Sequence, residues 1–284
     1  MAHLQDKALV NGIAADRLSI LDRGLMYGDG LFETIAVCDG DPCLWREHVG
    51  RLRRGAGRLG IPCPAEGLLR EELGRVADGE SPCVVKIVLT RGVGGRGYPP
   101  PVHPQPTRIL IRYPWPDHPA DWPEEGVVVT LCRTPLGMNP ALAGVKHLNR
   151  LEQVMARSEW SDPQIAEGLM SDGKGRVIAG TMSNLFLVEG TRICTPRLHA
   201  SGIEGTVRGL VLRIAGAHGF ESAEVDVDDR TLCAADGLFL TNSLIGVWPV
   251  RRLGYLALDV GRLPGELIRA VRRRALTPET GTGN

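Results

Sequence analysis

The chain has 284 residues, enough for about two domains of roughly 150 residues each, with cores that need no disulfide or metal staple. Apolar residues make up 43% and charged residues 23%, ordinary globular values that exclude a disordered chain. Lys plus Arg and Asp plus Glu each number 33, and a net charge of zero gives no electrostatic basis for a nucleic-acid or polyanion partner.

The N-terminal run MAHLQDKALVNG lacks the apolar core of a signal peptide, and no stretch of about 18 apolar residues marks a membrane span. Seven cysteines are scattered without a CxxC and without a histidine at metal-ligand spacing, so free thiols in the cytoplasm and no metal are expected. In chain order, Ala8–Ala14 reads as a hairpin around Asn11-Gly12, a pair that favours positive φ. Leu31–Val37 is a β-rich run. Trp45–Leu59 carries Val49, Leu52, Ala56 and Leu59 at helical spacing, and Leu68–Val76 is a second helix. Cys83–Thr90 and Thr107–Tyr113 read as strands around a Gly/Pro-rich loop, Arg91–Pro106. After the proline-rich stretch 114–123 come a strand at Val127–Cys132 and a helix near Arg150–Ser161. Strands at Ile165–Ser171, Val177–Ile178, Asn184–Val188 and Arg192–Thr195 precede a helix at Thr206–His218. Strand Glu221–Val227, a short helix, strand Gly237–Thr241 and a helix near Pro264–Ala275 complete the set. The alternation predicts two α/β domains, residues 1–114 and 124–284, joined by a linker at 115–123.

Only four basic residues are lysines: Lys7, Lys86, Lys146 and Lys174. Lys7 and Lys174 read as solvated. Lys86 in CVVKIVLT and Lys146 in LAGVKHLNRL lie among apolar neighbours, where a desolvated amine serves as a base or Schiff-base former, unless it snorkels to water. Several short segments could receive a phosphate. Ser201–Arg208 is a glycine-marked turn opening a helix at Thr206, Thr241-Asn242-Ser243 offers donors at a strand end, and Arg51 follows His48 by one helical turn. Each also has a plain structural reading as a turn, a cap or a solvated arginine. The loop Arg91–Tyr98 lacks GxGxxG spacing and a following helix, so it is not a dinucleotide fingerprint.

Taken in order, Arg23–Thr34 (RGLMYGDGLFET), His48-x-x-Arg51-Leu, Lys146–Leu151 (KHLNRL) and Gly180–Phe186 (GTMSNLF) resemble the class IV aminotransferase family. The resemblance covers about residues 7 to 275. It implies a two-domain fold-type IV scaffold like that of D-amino-acid aminotransferase, of α/β class with α+β character. It also implies a homodimer with pyridoxal 5'-phosphate as cofactor, held mostly by the second domain, and a small-molecule substrate. Lys86–Tyr98, Lys146–Gln153 and Asn242–Val250 resemble family members that are carbon–oxygen lyases rather than transaminases. By resemblance, Lys146 is the Schiff-base lysine and proton-moving base, Arg51 grips the cofactor phosphate, and the amides of Thr206 and Val207 with the Ser243 hydroxyl complete the phosphate cup. Asn149 falls near the position touching the cofactor's phenolic oxygen. Tyr27, Thr34, Arg91, Arg96 and Tyr98 fall on the substrate side, Thr34 among the catalytic positions, with the arginines suited to carboxylates.

One position departs from the family pattern. Ala179 stands where a glutamate usually holds the proton on the cofactor's ring nitrogen, and no neighbouring acid in the sequence clearly replaces it, Glu167 lying too far along its strand. Loss of that carboxylate weakens the electron sink, which harms a transaminase more than a lyase with an aromatic product. The alternatives are a D-amino-acid or branched-chain aminotransferase, or a relative that binds the cofactor with weakened chemistry.

Overall fold

The Asn11-Gly12 turn has both residues at positive φ, 50° and 82°, which matches the strand twist and pairs β1 (Ala8–Val10) with β2 (Ile13–Ala14). The computed structural model describes residues 7–79 and 81–278. These fall into two units. The first takes the described residues up to Pro116, Val145–Asn149 and those from Leu276 onward; the second takes Asp117–Gly144 and Arg150–Ala275. The stretch around Lys146 thus belongs, by its contacts, with the N-terminal half.

In the first unit a short helix, α1 (Arg23–Tyr27), precedes β3 (Gly30–Cys38) and β4 (Asp41–Pro42). Helices α2 (Trp45–Leu59) and α3 (Glu66–Ala77) follow, then β5 (Cys83–Thr90) and β6 (Thr107–Pro114). The six strands lie in the order β2-β1-β6-β5-β3-β4, every pair antiparallel, which gives this unit its α+β character. Along β3, Leu31, Glu33, Ile35 and Val37 are buried, and Leu31, Ile35 and Val37 join Leu52, Leu69 and Leu73 in one core. Of the residues between them, Phe32 and Thr34 are only half-buried, as a period of two leads one to expect, whereas the small Ala36 is buried.

The second unit opens with α4 (Trp122–Glu125), whose Trp122 meets Trp248 edge-on with centroids 5.0 Å apart. It continues through β7 (Val127–Leu131), α5 (Leu151–Arg157), β8 (Ile165–Ser171), β9 (Val177–Gly180), β10 (Asn184–Glu189) and β11 (Arg192–Pro196). Then come α6 (Thr206–Ile214), β12 (Glu221–Val225), α7 (Asp229–Ala234), β13 (Gly237–Asn242), β14 (Gly246–Leu253), β15 (Leu256–Ala257) and α8 (Gly265–Leu276). The sheet runs β12-β11-β10-β13-β14-β7-β8-β9, with β15 beside β14. It is mixed, with parallel pairs at β11/β12, β14/β7 and β7/β8. Phe186 and Phe239, cross-strand partners on β10 and β13, stack at 4.9 Å within its core.

Elements α1, β4, α4 and β15 were not among those expected, and three further elements differ from expectation. The helix expected to Ser161 ends at Arg157, where the Ser158 hydroxyl donates to the Val154 carbonyl and competes with the backbone ladder. The helix expected to His218 ends at Ile214 and passes into a 3-10 turn, Gly216–His218. Strand β14 was not foreseen, because Trp248-Pro249 interrupts a strand signal; Pro249 is nevertheless accommodated opposite Phe239.

Candidate active site

In the first unit, Lys146 sits on a stretch stitched to the open edge of β3. Phe32 N–H donates to the Lys146 carbonyl at 3.1 Å, Leu148 N–H donates to the Gly30 carbonyl at 3.0 Å, and Val145 is buried in the core. The backbone is therefore fixed, and the Lys146 Nζ lies 4.2 Å from the centre of the Phe32 ring, a cation–π contact. Lys86 Nζ lies 5.2 Å from the same ring, and Lys86 is the cross-strand partner of Thr34. Two of the four lysines thus approach one aromatic ring. Phe32 had no role in the sequence reading, since a phenylalanine in a strand reads simply as core.

Behind this face, α2 presents His48 and Arg51 to Glu33. Arg51 donates from Nε at 2.8 Å and from a terminal nitrogen at 2.5 Å, and His48 Nδ1 donates at 2.6 Å, all to the buried Glu33 carboxylate. Burial alone would raise the Glu33 pKa, but the Arg51 charge and the hydrogen bonds from Arg51 and His48 outweigh it and lower it to about 2. For His48 burial dominates and pushes its pKa down, against the attraction of Glu33. With Nδ1 carrying the proton, Nε2 is left as a buried acceptor, and it has no hydrogen-bond partner among the described residues.

The turn 27–30 ties these parts together. Gly28 has φ 66°, and a Cβ there would lie 2.2 Å from Asn149 Oδ1, so Asn149 packs directly on the glycine. Asp29 accepts from Arg23 Nε at 2.8 Å and, as a fork, from Arg91 at 2.7 and 3.0 Å. Burial works to raise its pKa, yet the two arginines hold the carboxyl below its ordinary value. Arg91 also donates to the carbonyls of Leu59 and Gly60 at 2.7 and 2.9 Å. Its guanidinium is thus an internal clamp between α2 and Asp29. Arg96 and Tyr98, by contrast, are exposed.

In the second unit, α6 begins at Thr206 after Gly205, which supplies no side-chain cap, so the first amides have no acceptor from a capping side chain. A Cβ on Gly205 would lie 2.0 Å from Asn184 Oδ1, and Asn184 is the cross-strand partner of Thr241. The hydroxyls of Thr241 and Ser201 are buried without a hydrogen-bond partner among the described residues. Ser243 follows β13 directly. Unsatisfied amides at a helix start together with orphan hydroxyls form a donor set that fits a phosphate ester. A half-buried amine above an aromatic ring, with an arginine on the adjoining helix, fits the aldehyde cofactor in the first unit.

Ala179, on β9 opposite Met170, is buried in an apolar cluster with Leu136, Ala156, Met170 and Ile178. Glu167, the nearest acid considered from sequence, is occupied. It accepts from the amide and hydroxyl of Thr181 at 3.0 and 2.5 Å, the Met182 amide at 3.1 Å and the Ser183 hydroxyl at 2.8 Å. It therefore builds the turn after β9, its Oε2 2.6 Å from where a Cβ on Gly180, the residue after Ala179, would lie. Among the described residues no group of three or more His, Cys, Asp or Glu could hold a metal, and no helix is long and apolar enough to cross a membrane.

Residues 30–253 match the family of class IV amino-transferases, and the chain belongs to that family. It is 35% identical over 241 residues to an aminodeoxychorismate lyase of Vibrio harveyi, covering 85% of this chain and 89% of the relative. A crystal structure of a 4-amino-4-deoxychorismate lyase from Pseudomonas aeruginosa is 46% identical, with a TM-score of 0.89 over 93% of this chain and 98% of the other. A putative branched-chain-amino-acid aminotransferase of Methanocaldococcus jannaschii is 32% identical over 86% of each chain. The fold is the fold-type IV scaffold of this family.

Proposed function

We propose that this chain is a pyridoxal-phosphate-dependent lyase that converts 4-amino-4-deoxychorismate to 4-aminobenzoate and pyruvate, a step of folate biosynthesis. The observation that carries the reading is the Lys146 amine, fixed through its backbone to β3 and set over Phe32. The similarity to two lyases over most of the chain supports the lyase over the transaminase.

When bound, the cofactor supplies an electron sink that lets the C–H bond beside the substrate amine ionise. Lys146 anchors it, and its Nζ takes the proton from the amine-bearing ring carbon. Departure of the enol-ether side chain as pyruvate leaves the ring aromatic. By the family resemblance, Arg51, the amides of Thr206 and Val207 and the Ser243 hydroxyl would hold the phosphate, with the Thr241 hydroxyl as a further donor beside those of the second unit. Asn149 serves the phenolic oxygen, and Thr34 serves the reacting carbon from the same strand as Phe32. Tyr27, Arg96 and Tyr98 face the substrate, with Arg96 as the carboxylate-binding arginine, while Arg91 acts through Asp29. Exposed apolar residues on the first unit (Ile20, Leu21, Leu25, Met26) and on α5 (Leu151, Val154, Met155) support a homodimer, working in the cytoplasm.

With alanine at 179, where the family resemblance puts a glutamate, the cofactor's ring nitrogen would lack that carboxylate, a loss that a reaction driven by aromatisation tolerates. A lyase turns over without any 2-oxo acid to accept an amino group, and an aminotransferase does not. Ala179→Glu is expected to raise the rate of amino transfer from D-alanine relative to the lyase rate by about tenfold, equivalent to about 1.4 kcal/mol. Parallel assays of both reactions on wild type and variant check this; an unchanged ratio would contradict the role given to Ala179.

A further inference from the structure

The loop after β5 carries two of the substrate-side residues, yet its composition alone would leave it loose. It contains four glycines between Arg91 and Tyr98, and Gly92 and Gly97 adopt φ values of 87° and 90°. The restraint comes from Arg23. Its guanidinium donates to three consecutive carbonyls, Gly97 at 3.1 Å, Tyr98 at 2.9 Å and Pro99 at 3.4 Å, while its Nε holds Asp29. Arg23 is buried, and its guanidinium also lies 4.9 Å from the centre of the Tyr27 ring. The Tyr27 hydroxyl accepts from the Gly97 amide at 3.2 Å, and the Tyr27 and Tyr98 rings are 5.6 Å apart.

Both flanks of the loop are therefore fixed through one carboxylate. Arg91 joins the end of α2 to Asp29, and Arg23 joins Asp29 to residues 97–99. The carbonyls at 97–99 turn inward to Arg23, whereas the side chains of Arg96 and Tyr98 stay in solvent, Tyr98 at 83% exposure. Arg96 makes no hydrogen bond or ion pair among the described residues, so its five donors are open to a carboxylate. The same turn, 27–30, contacts Asn149 and the Lys146 stretch, so the loop is referenced to the element that carries the amine.

We propose that Arg23 is a specificity-determining positioning residue, which sets loop 94–99 so that Arg96 grips a carboxylate of a substrate bearing two of them. The inference rests on the lyase reading, in which such a substrate reacts at Lys146. A lysine at position 23 keeps the charge facing Asp29 but cannot reach three carbonyls with a planar fork.

The test uses the cofactor-loaded enzyme with Arg23→Lys, and with Gly94→Ala as a second variant. A Cβ at Gly94 would lie 2.7 Å from Arg23 Cδ, so this change pushes the loop off its tether without removing charge. For both variants KM for 4-amino-4-deoxychorismate is expected to rise on the order of 10- to 100-fold, with kcat within about threefold of wild type, as for a misplaced binding group. Tryptic cleavage after Arg96 is expected to quicken, because the loop opens more often, while bound-cofactor absorbance is unchanged. Faster cleavage with unchanged KM would overturn the proposal, since the tether would then be structural only; unchanged cleavage and KM would overturn it as well. Absence of turnover in the wild type would instead defeat the lyase reading itself.

Discussion

Replacing Lys146 with alanine will abolish covalent attachment of the cofactor and lower lyase turnover by about four orders of magnitude, the upper range for loss of a positioned base. The geometry makes this a sharp test because Lys86 contacts the same Phe32 ring, at 5.2 Å against 4.2 Å for Lys146. Lys86 is held in the middle of β5, between Thr34 on one side and Ile111 on the other, so its amine is not expected to substitute. Borohydride reduction followed by intact-mass measurement reads the attachment directly. A reducible adduct of undiminished yield in the variant would contradict the assignment and point to Lys86.

Glu33→Gln is expected to cost about 3–5 kcal/mol of stability, the usual consequence of removing one partner from a buried ion pair. Arg51 and His48 both rely on that carboxylate, so phosphate affinity of the apo-protein falls with it. The pH profile carries a second signature. Unfolded, Glu33 takes up a proton near 4.5, whereas folded it resists until about 2. Its contribution is therefore complete above pH 4.5 and is lost as pH falls from there toward 2. His48, held neutral by burial, adds to acid destabilisation from its ordinary pKa of 6.5 downward, since the unfolded chain binds that proton first. Urea unfolding of wild type and variant across pH 7 to 3 should show a shallower fall for the variant below pH 4.5. Equal stability at pH 7 and parallel curves would contradict the pairing.

Helix α2 was legible because Val49, Leu52 and Ala56 recur at helical spacing, and its observed bounds are those read from the sequence. The hairpin at Asn11-Gly12 was legible for a different reason, since backbone preference is local. What sequence could not carry was the partner of each charge. Arg91 reads by resemblance as a substrate-side arginine in a glycine-rich loop, but its donors go to Asp29, Leu59 and Gly60. Arg23 reads as part of a motif, and only the fold shows it reaching 74 to 76 residues ahead to three carbonyls. Glu167 reads as an acid too far along its strand to assign, and only the fold shows its oxygens accepting from Thr181, Met182 and Ser183. Periodicity predicts which face a residue occupies; it does not say which distant group satisfies a buried charge. The signal that could have marked Arg23 is its spacing from Asp29 across a five-residue helix that returns the chain on itself.

The most direct test of the central claim is to supply 4-amino-4-deoxychorismate to the cofactor-loaded protein without any 2-oxo acid and to quantify both products. 4-Aminobenzoate and pyruvate are expected in equal amounts over many turnovers. Cofactor demonstrably bound, no 4-aminobenzoate formed, and amino transfer appearing once a 2-oxo acid is added would contradict it.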